Sequence, residues 1–210
     1  MATDSRELSK PLRELSKPKL LIGEGKEEEL FFTAFLTHLN ISDVQVEEYG
    51  GKQKLPNYLK TLLLRPGYSQ IISLGITRDA DNSCQNAFQS ICDSLRNLSL
   101  PVPRKPGEVA GYSPQISILI LPNNQNSGML EDLCLDAIKT DPVLQCVDEY
   151  FECVDKKIGR KPNNMAKARI HAWLSSQTEP DKRLGEAAKA NYLPWDNPKF
   201  DCLKEFLQAL

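Results

Sequence analysis

The stretch Ile71-Ile72-Ser73-Leu74-Gly75-Ile76-Thr77-Arg78-Asp79-Ala80-Asp81 decides the fold. It begins as an apolar run of the kind buried on both faces of a parallel sheet, and it ends in carboxylates. Asn82-Ser83 can cap the helical pattern that follows, to about Leu98. Upstream, Leu20-Leu21-Ile22-Gly23-Glu24-Gly25-Lys26-Glu27-Glu28 has the same design: a short apolar run, an acid, then a helical pattern. Two strands that feed helices, with acids at their carboxyl ends, are expected to be neighbours in a parallel sheet. Ligand crevices of open parallel sheets lie outside those ends. Glu24, Asp79 and Asp81 are therefore expected to face one site. Strand side chains alternate, so Asp79 and Asp81 are expected to point to the same side and Ala80 away from it.

Like charges converging in one crevice repel, and at least one should hold its proton. A divalent cation removes that penalty. Carboxylate oxygens suit Mg²⁺, with Mn²⁺ as the alternative, and Mg²⁺ commonly binds through one or two carboxylates plus substrate phosphate.

At these residues the chain resembles the Toprim domain of topoisomerases, primases, small RNA-maturation nucleases and OLD-family nucleases. The likeness rests on Glu24-Gly25 after the first strand and Asp79-Ala80-Asp81 at the end of a later one, over roughly residues 18–135. Residues 115–133 further resemble a family of stand-alone Toprim-like proteins of unknown function. The resemblance implies a Rossmann-like, mainly parallel sheet sandwiched by helices. It implies Asp79 and Asp81 as metal ligands, Glu24 as a further ligand or general base, and Glu28 as support for a second metal. Glu27 is the rival of Glu28, and both also suit the positive end of a helix dipole. Relatives carry an acid after the fourth strand, where this chain has Asn123, Asn124 and Asn126. Glu131 or Asp132 would replace it, or would serve only their helix dipole.

Working outward, Val44–Tyr49 alternates as a second strand. Gly50-Gly51 turns into a helix from about Leu55 to Leu64, and the amide of Gly51 with Lys52 is a candidate phosphate contact, set against an ordinary turn with solvated lysines. Gln115–Leu121 is the fourth strand. The loop bearing Pro101, Pro103, Arg104, Pro106 and Gly107 is either a cover for the site or a connector. After about residue 140 the pattern is helical, with helices expected to about Asp155, from Asn163 or Asn164 to Ser176, and from Phe200 to Leu210. This gives an α/β core over 19–140 and a helical C-terminal extension packed on it over 141–210. Residues 1–18 repeat themselves: Arg6-Glu7-Leu8-Ser9-Lys10-Pro11 recurs as Arg13-Glu14-Leu15-Ser16-Lys17-Pro18. Each copy has one apolar side chain, so a mobile tail is expected.

The charge balance bounds the function. With 26 basic and 28 acidic residues the net charge is −2, which argues against gripping nucleic acid by bulk electrostatics. Any contact must be local, and Lys156, Lys157, Arg160, Lys161, Lys167 and Arg169 form the most basic stretch. The six cysteines form no Cys-x-x-Cys pair and read as reduced thiols of a cytoplasmic protein. His38 and His171 lack metal-ligand spacing. There is no signal-peptide stretch or membrane-length apolar run, and no Walker loop, zinc motif or nucleophile elbow.

Three functions remain. The first is a metal-dependent phosphodiesterase, most readily a nuclease, since the chain shows no accessory domain for topoisomerase or primase chemistry. The second is a non-catalytic module binding Mg²⁺ with a nucleotide or other phosphate-bearing ligand. The third is a subunit needing a protein partner.

Overall fold

The computed structural model describes residues 14–210. Its centre is a five-stranded sheet in the order β2-β1-β3-β5-β4. These strands are β1 (Lys19–Gly23), β2 (Val44–Glu48), β3 (Ser73–Asp79), β4 (Val109–Ala110) and β5 (Gln115–Leu121). Strands β2, β1, β3 and β5 are parallel, and β4 adds an antiparallel edge against Ile116 and Ser117. The α/β class and the four parallel strands agree with the sequence reading. The two-residue β4 was not foreseen, and the Pro-rich loop runs into it. The third strand, expected from about Gln70 to Thr77, starts three residues later and ends two residues later, at Ser73 and Asp79.

Alternation along the strands divides the core. Leu20, Ile22, Leu74, Ile76, Ile116, Ile118 and Ile120 face α2 (Leu55–Leu62) and α3 (Cys84–Arg96). Leu21, Leu119 and Leu121 face the other way, where α1 (Lys26–His38), α4 (Leu130–Ala137), α5 (Val143–Ile158), α6 (Met165–Leu174), α7 (Leu184–Lys189) and α8 (Asp201–Gln208) contribute to the second core. Both faces are thus covered by helices, as buried parallel strands require.

Aromatic rings fasten the last helices to the first. Trp195 stacks on Phe35 with centroids 4.9 Å apart and packs edge-on to Phe31. Phe200 completes the cluster 5.7 Å from Phe35. Gly75 lets α8 reach the sheet, because a Cβ there would stand 2.8 Å from Leu210 and 3.2 Å from Phe206. All six cysteines are free.

The N-terminal expectation needs correction. Its first thirteen residues lie outside the described residues, but residues 14–18 are fixed to the core. Leu15 is only 4% exposed and belongs to the α2–α3 core. The side chain of Gln45 donates to the Glu14 carbonyl and accepts from the Ser16 amide. The entropy argument for a free tail sets the two leucines of the repeat against the ordering of the whole segment, without the docking surface that β2 supplies.

Deleting residues 1–16 should therefore lower stability by about 2–4 kcal/mol, the range for losing a buried leucine. Thermal or urea unfolding checks this, and an unchanged melting temperature would show that Leu15 adds nothing.

A carboxylate cluster as candidate functional site

The sheet order sets the place. From β1 the chain moves outward to β2, whereas β3 and β5 lie on the other side of β1. Neighbouring strands with connections leaving in opposite directions open a crevice at their carboxyl ends. Glu24 follows β1 and Asp79 ends β3, so these two acids flank the crevice between β1 and β3.

Glu28 enters from the first turn of α1 and is 6% exposed. Its Oε2 accepts from the Glu24 amide at 2.8 Å and from the Thr77 hydroxyl at 2.9 Å. Gly23 makes room for this. A Cβ on residue 23 would stand 2.9 Å from Glu28 Oε2 and 3.3 Å from Thr77 Oγ1. Asp79 Oδ1 accepts from the Leu130 amide at 3.0 Å, at the positive end of α4. Glu131, next in α4, has Lys167 Nζ 3.7 Å from its Oε1.

The electrostatics bind these acids into one group. Burial pushes Glu28 up to about 7, with repulsion from Glu24 and Glu131 adding to it. Burial also pushes Asp79 up to about 9, reinforced by Glu28, Glu131 and Glu24. Glu24 is raised by burial too, against the opposing pull of Lys52 and Arg78. Its Oε2 is buried with no hydrogen-bond partner. The Tyr49 hydroxyl donates to the Thr77 carbonyl at 3.0 Å and closes the cluster from β2.

Other expected site residues have different places. Asp81 lies beyond β3 with φ +49°, so strand alternation does not apply to it. Its backbone exchanges hydrogen bonds with Gly128, and its carboxylate is ion-paired with Lys52. It stays close enough to repel Glu24. The amides of Gly50 and Gly51 both donate to the Glu24 carbonyl, at 3.1 and 2.8 Å, and so are engaged within the turn. Asp132 caps α4 by accepting from the Met129 amide, and Glu27 accepts from the Gly185 amide on α7. The asparagine corner caps its own turn: Asn124 Oδ1 accepts from the Ile120 amide, and Asn123 Oδ1 from those of Gln125 and Asn126. Among the described residues no three His, Cys, Asp or Glu side chains stand as a ready-made metal site.

Thr77, Tyr49 and Arg78 were not singled out from the sequence. Thr77 and Tyr49 sit in segments whose patterns report only strand. Their alignment with Glu28 arises from the pairing of strands remote in sequence.

The raised acids fix the pH response. The folded state holds a proton on Asp79 that the unfolded chain releases near its ordinary value of 3.8. Stability from this group is thus present at low pH and is lost as pH rises toward about 9. Without divalent ions, melting temperatures between about pH 5 and about pH 9 should fall. Asp79→Asn should flatten the decline. An equally steep decline in the variant would mean that Asp79 holds no such proton.

No curated protein matches the chain. Among solved structures, a hypothetical protein of Pyrococcus horikoshii OT3 aligns with a TM-score of 0.63 at 18% identity, over 92% of this chain and 95% of that one. It shares the fold. The C-terminal region of the OLD protein of Xanthomonas campestris pv. campestris aligns with a TM-score of 0.44 at 15% identity, over 92% of this chain and 98% of that one. No helix among the described residues is long and apolar enough to cross a membrane. A family pattern matches residues 18–210, nearly the whole chain, and the protein thereby belongs to the family described as "Protein of unknown function (DUF3226)".

Proposed function

We propose that the carboxylate cluster holds a divalent cation, Mg²⁺ or Mn²⁺, and that the protein is a phosphodiesterase of Toprim type acting on nucleic acid. The observation that carries this reading is the buried, unpartnered Glu24 Oε2 beside Asp79 and Glu28, two acids whose proton affinity burial raises. An orphaned carboxylate oxygen among acids whose charged forms burial and repulsion disfavour fits a hard cation, which removes that penalty. Glu24, Asp79, Glu28 and Glu131 would hold it, after the side-chain rearrangement that a cluster not yet in ligand geometry requires. When bound, the ion would polarise a phosphoryl oxygen and stabilise the leaving oxygen.

The chain's own groups supply the rest. Thr77 and the Glu24 amide fix Glu28 in place, and the Leu130 amide fixes Asp79. Where Glu24 does not complete the ion's ligands, it is the residue suited to take a proton from water, because burial raises its basicity above that of an ordinary carboxylate. Lys52, drawn to Asp81 in the free protein, is the local cation for a substrate phosphate. Asp81 thus serves Lys52 as counter-ion in addition to any part in ion binding. The asparagines after β5, where relatives carry an acid and which here cap their own turn, favour the second reading, a module that binds Mg²⁺ and a phosphate-bearing ligand without chemistry.

Calorimetry with Mn²⁺ and a panel of single- and double-stranded DNA and RNA separates the readings. The wild type should bind Mn²⁺ and cleave at least one member. Asp79→Asn should lose at least tenfold in Mn²⁺ affinity, about 1.4 kcal/mol, and abolish cleavage. Lys52→Ala should retain Mn²⁺ binding while weakening the substrate interaction. Binding without cleavage points to the non-catalytic module. Unchanged Mn²⁺ affinity in Asp79→Asn removes the metal site.

A further inference from the structure

Helix α5 carries an inference independent of the carboxylate cluster. Of its 16 residues, only Leu144 and Val147 are buried. They begin a row at alternating spacings of three and four, Leu144, Val147, Phe151, Val154 and Ile158, and the row packs on the second core as far as Phe151. Ile158, at its end, is 60% exposed. A second row runs beside it at the same spacings: Val143, Cys146, Tyr150 and Cys153, ending at Lys157. From Cys146 onward this second row faces outward. Cys146 and Cys153 are exposed, and Tyr150 is 58% exposed. Apolar residues recurring three and four apart make the seam of a contact between two helices. Where the seam begins, Ala172, Ser175 and Ser176 of α6 bound it in an open groove of about 450 Å³.

The charges beside the seam select its occupant. Glu149 and Glu152 precede Lys156, Lys157, Arg160 and Lys161, so acid comes before base along the helix. A second copy packed antiparallel sets the acids of each helix against the bases of the other, whereas a parallel copy sets like against like. We propose that α5 is the interface of a two-fold symmetric dimer of this chain, its exposed seam packed antiparallel on the same seam of a partner. The charges also fix the register. With Tyr150 opposite the partner's Cys153, Glu149 meets the partner's Lys156. With Tyr150 opposite the partner's Cys146, Glu149 would meet the partner's Glu149 and be repelled. In the single chain Glu149 accepts from Gln145 at 2.9 Å, and Lys156 lies 3.5 Å from Glu152. Exposed contacts of this kind contribute little and are readily exchanged. The favoured register also brings the partner's Ile158 opposite Val143, at the groove beside α6, and so covers the exposed end of the core row. Two-fold symmetry makes each of these contacts twice.

Sedimentation of the full-length protein tests this. The wild type should be a dimer at about 100 μM and dissociate on dilution, and a monomer at that concentration overturns the proposal. Tyr150→Lys, at an exposed position, should give a monomer with an unchanged circular dichroism spectrum. Glu149→Lys sets two lysines against each other and should raise the dimer's Kd roughly tenfold or more, and Lys156→Glu should do the same with two acids. Glu149→Lys/Lys156→Glu exchanges the pair and should restore the wild-type Kd. A dimer that Tyr150→Lys leaves intact uses another face and overturns the proposal, as does an exchanged pair that dimerises no better than its single variants. A short thiol-to-thiol crosslinker locates the axis, because in this register Cys153 lies close to the two-fold axis and Cys146 far from it. Crosslinked dimer should form in the wild type and in Cys146→Ser but not in Cys153→Ser. A crosslink that survives Cys153→Ser and is lost in Cys146→Ser overturns the register and the proposal with it.

Discussion

Burying the Glu28 carboxylate is the constraint around which the site end of the sheet is arranged. A carboxylate this far from water costs free energy unless it is hydrogen-bonded or protonated. Both remedies are present: the Glu24 amide and the Thr77 hydroxyl satisfy one oxygen, and the group's affinity for its proton rises. Those two donors belong to β1's trailing turn and to β3, while the acceptor belongs to α1. One carboxylate thus joins three elements at the crevice. Gly23 is required by the same contact, because a methyl group there would press on both Glu28 and Thr77. The Gly-Glu-Gly signature of the sequence is in part a consequence of how closely α1 must approach β1.

Adjacent acids divide between holding the fold and facing the crevice, and helix geometry makes the division. Successive helical residues point about 100° apart, so Glu27 and Glu28 cannot share a direction. Glu27 reaches Gly185 and anchors α7, and Glu28 turns inward. The same separation in α4 sends Asp132 back to its own first turn and leaves Glu131 beside the cluster. For each pair the sequence left the choice open, since either member suits a helix dipole equally well. The choice depends on which neighbour lies on each side, and that is tertiary information.

What could be read locally was read well. Apolar or alternating runs that lead into helical patterns gave the parallel strands, and the acids after two of them gave the common edge for Glu24 and Asp79. The failures share a physical origin. Two-residue β4 and six-residue α7 are too short to show a period. Asp81 adopts a left-handed conformation, fixed by its bridge to Gly128, that no alternation rule anticipates. Leu15 looked unable to offset the ordering of its segment. Its partner Gln45 lies thirty residues away, on a strand of which one buried face is apolar and the other polar: Gln45 beside Glu47, which Arg65 and Tyr58 hold in turn.

The C-terminal helices are bound to the site as well as to the core. Asp79 is raised by burial and repulsion, yet the amide of Leu130 at the start of α4 pulls the other way. Glu131 comes from that same turn and meets Lys167 of α6, while the neighbouring Asn164 caps α6 and its amide lies 3.3 Å from Met129 Sδ. A change in how α4 and α6 pack would therefore alter the charge felt by Asp79 without touching the sheet. The cluster is best understood as a property of two layers, a parallel sheet that supplies Glu24 and Asp79 and a helical layer that supplies Glu28, Glu131 and the dipole facing them. Separating the layers would remove Glu28 and Glu131, two of the three acids that repel Asp79, together with its amide donor, so the electrostatics of the crevice and the packing of the helices constrain each other.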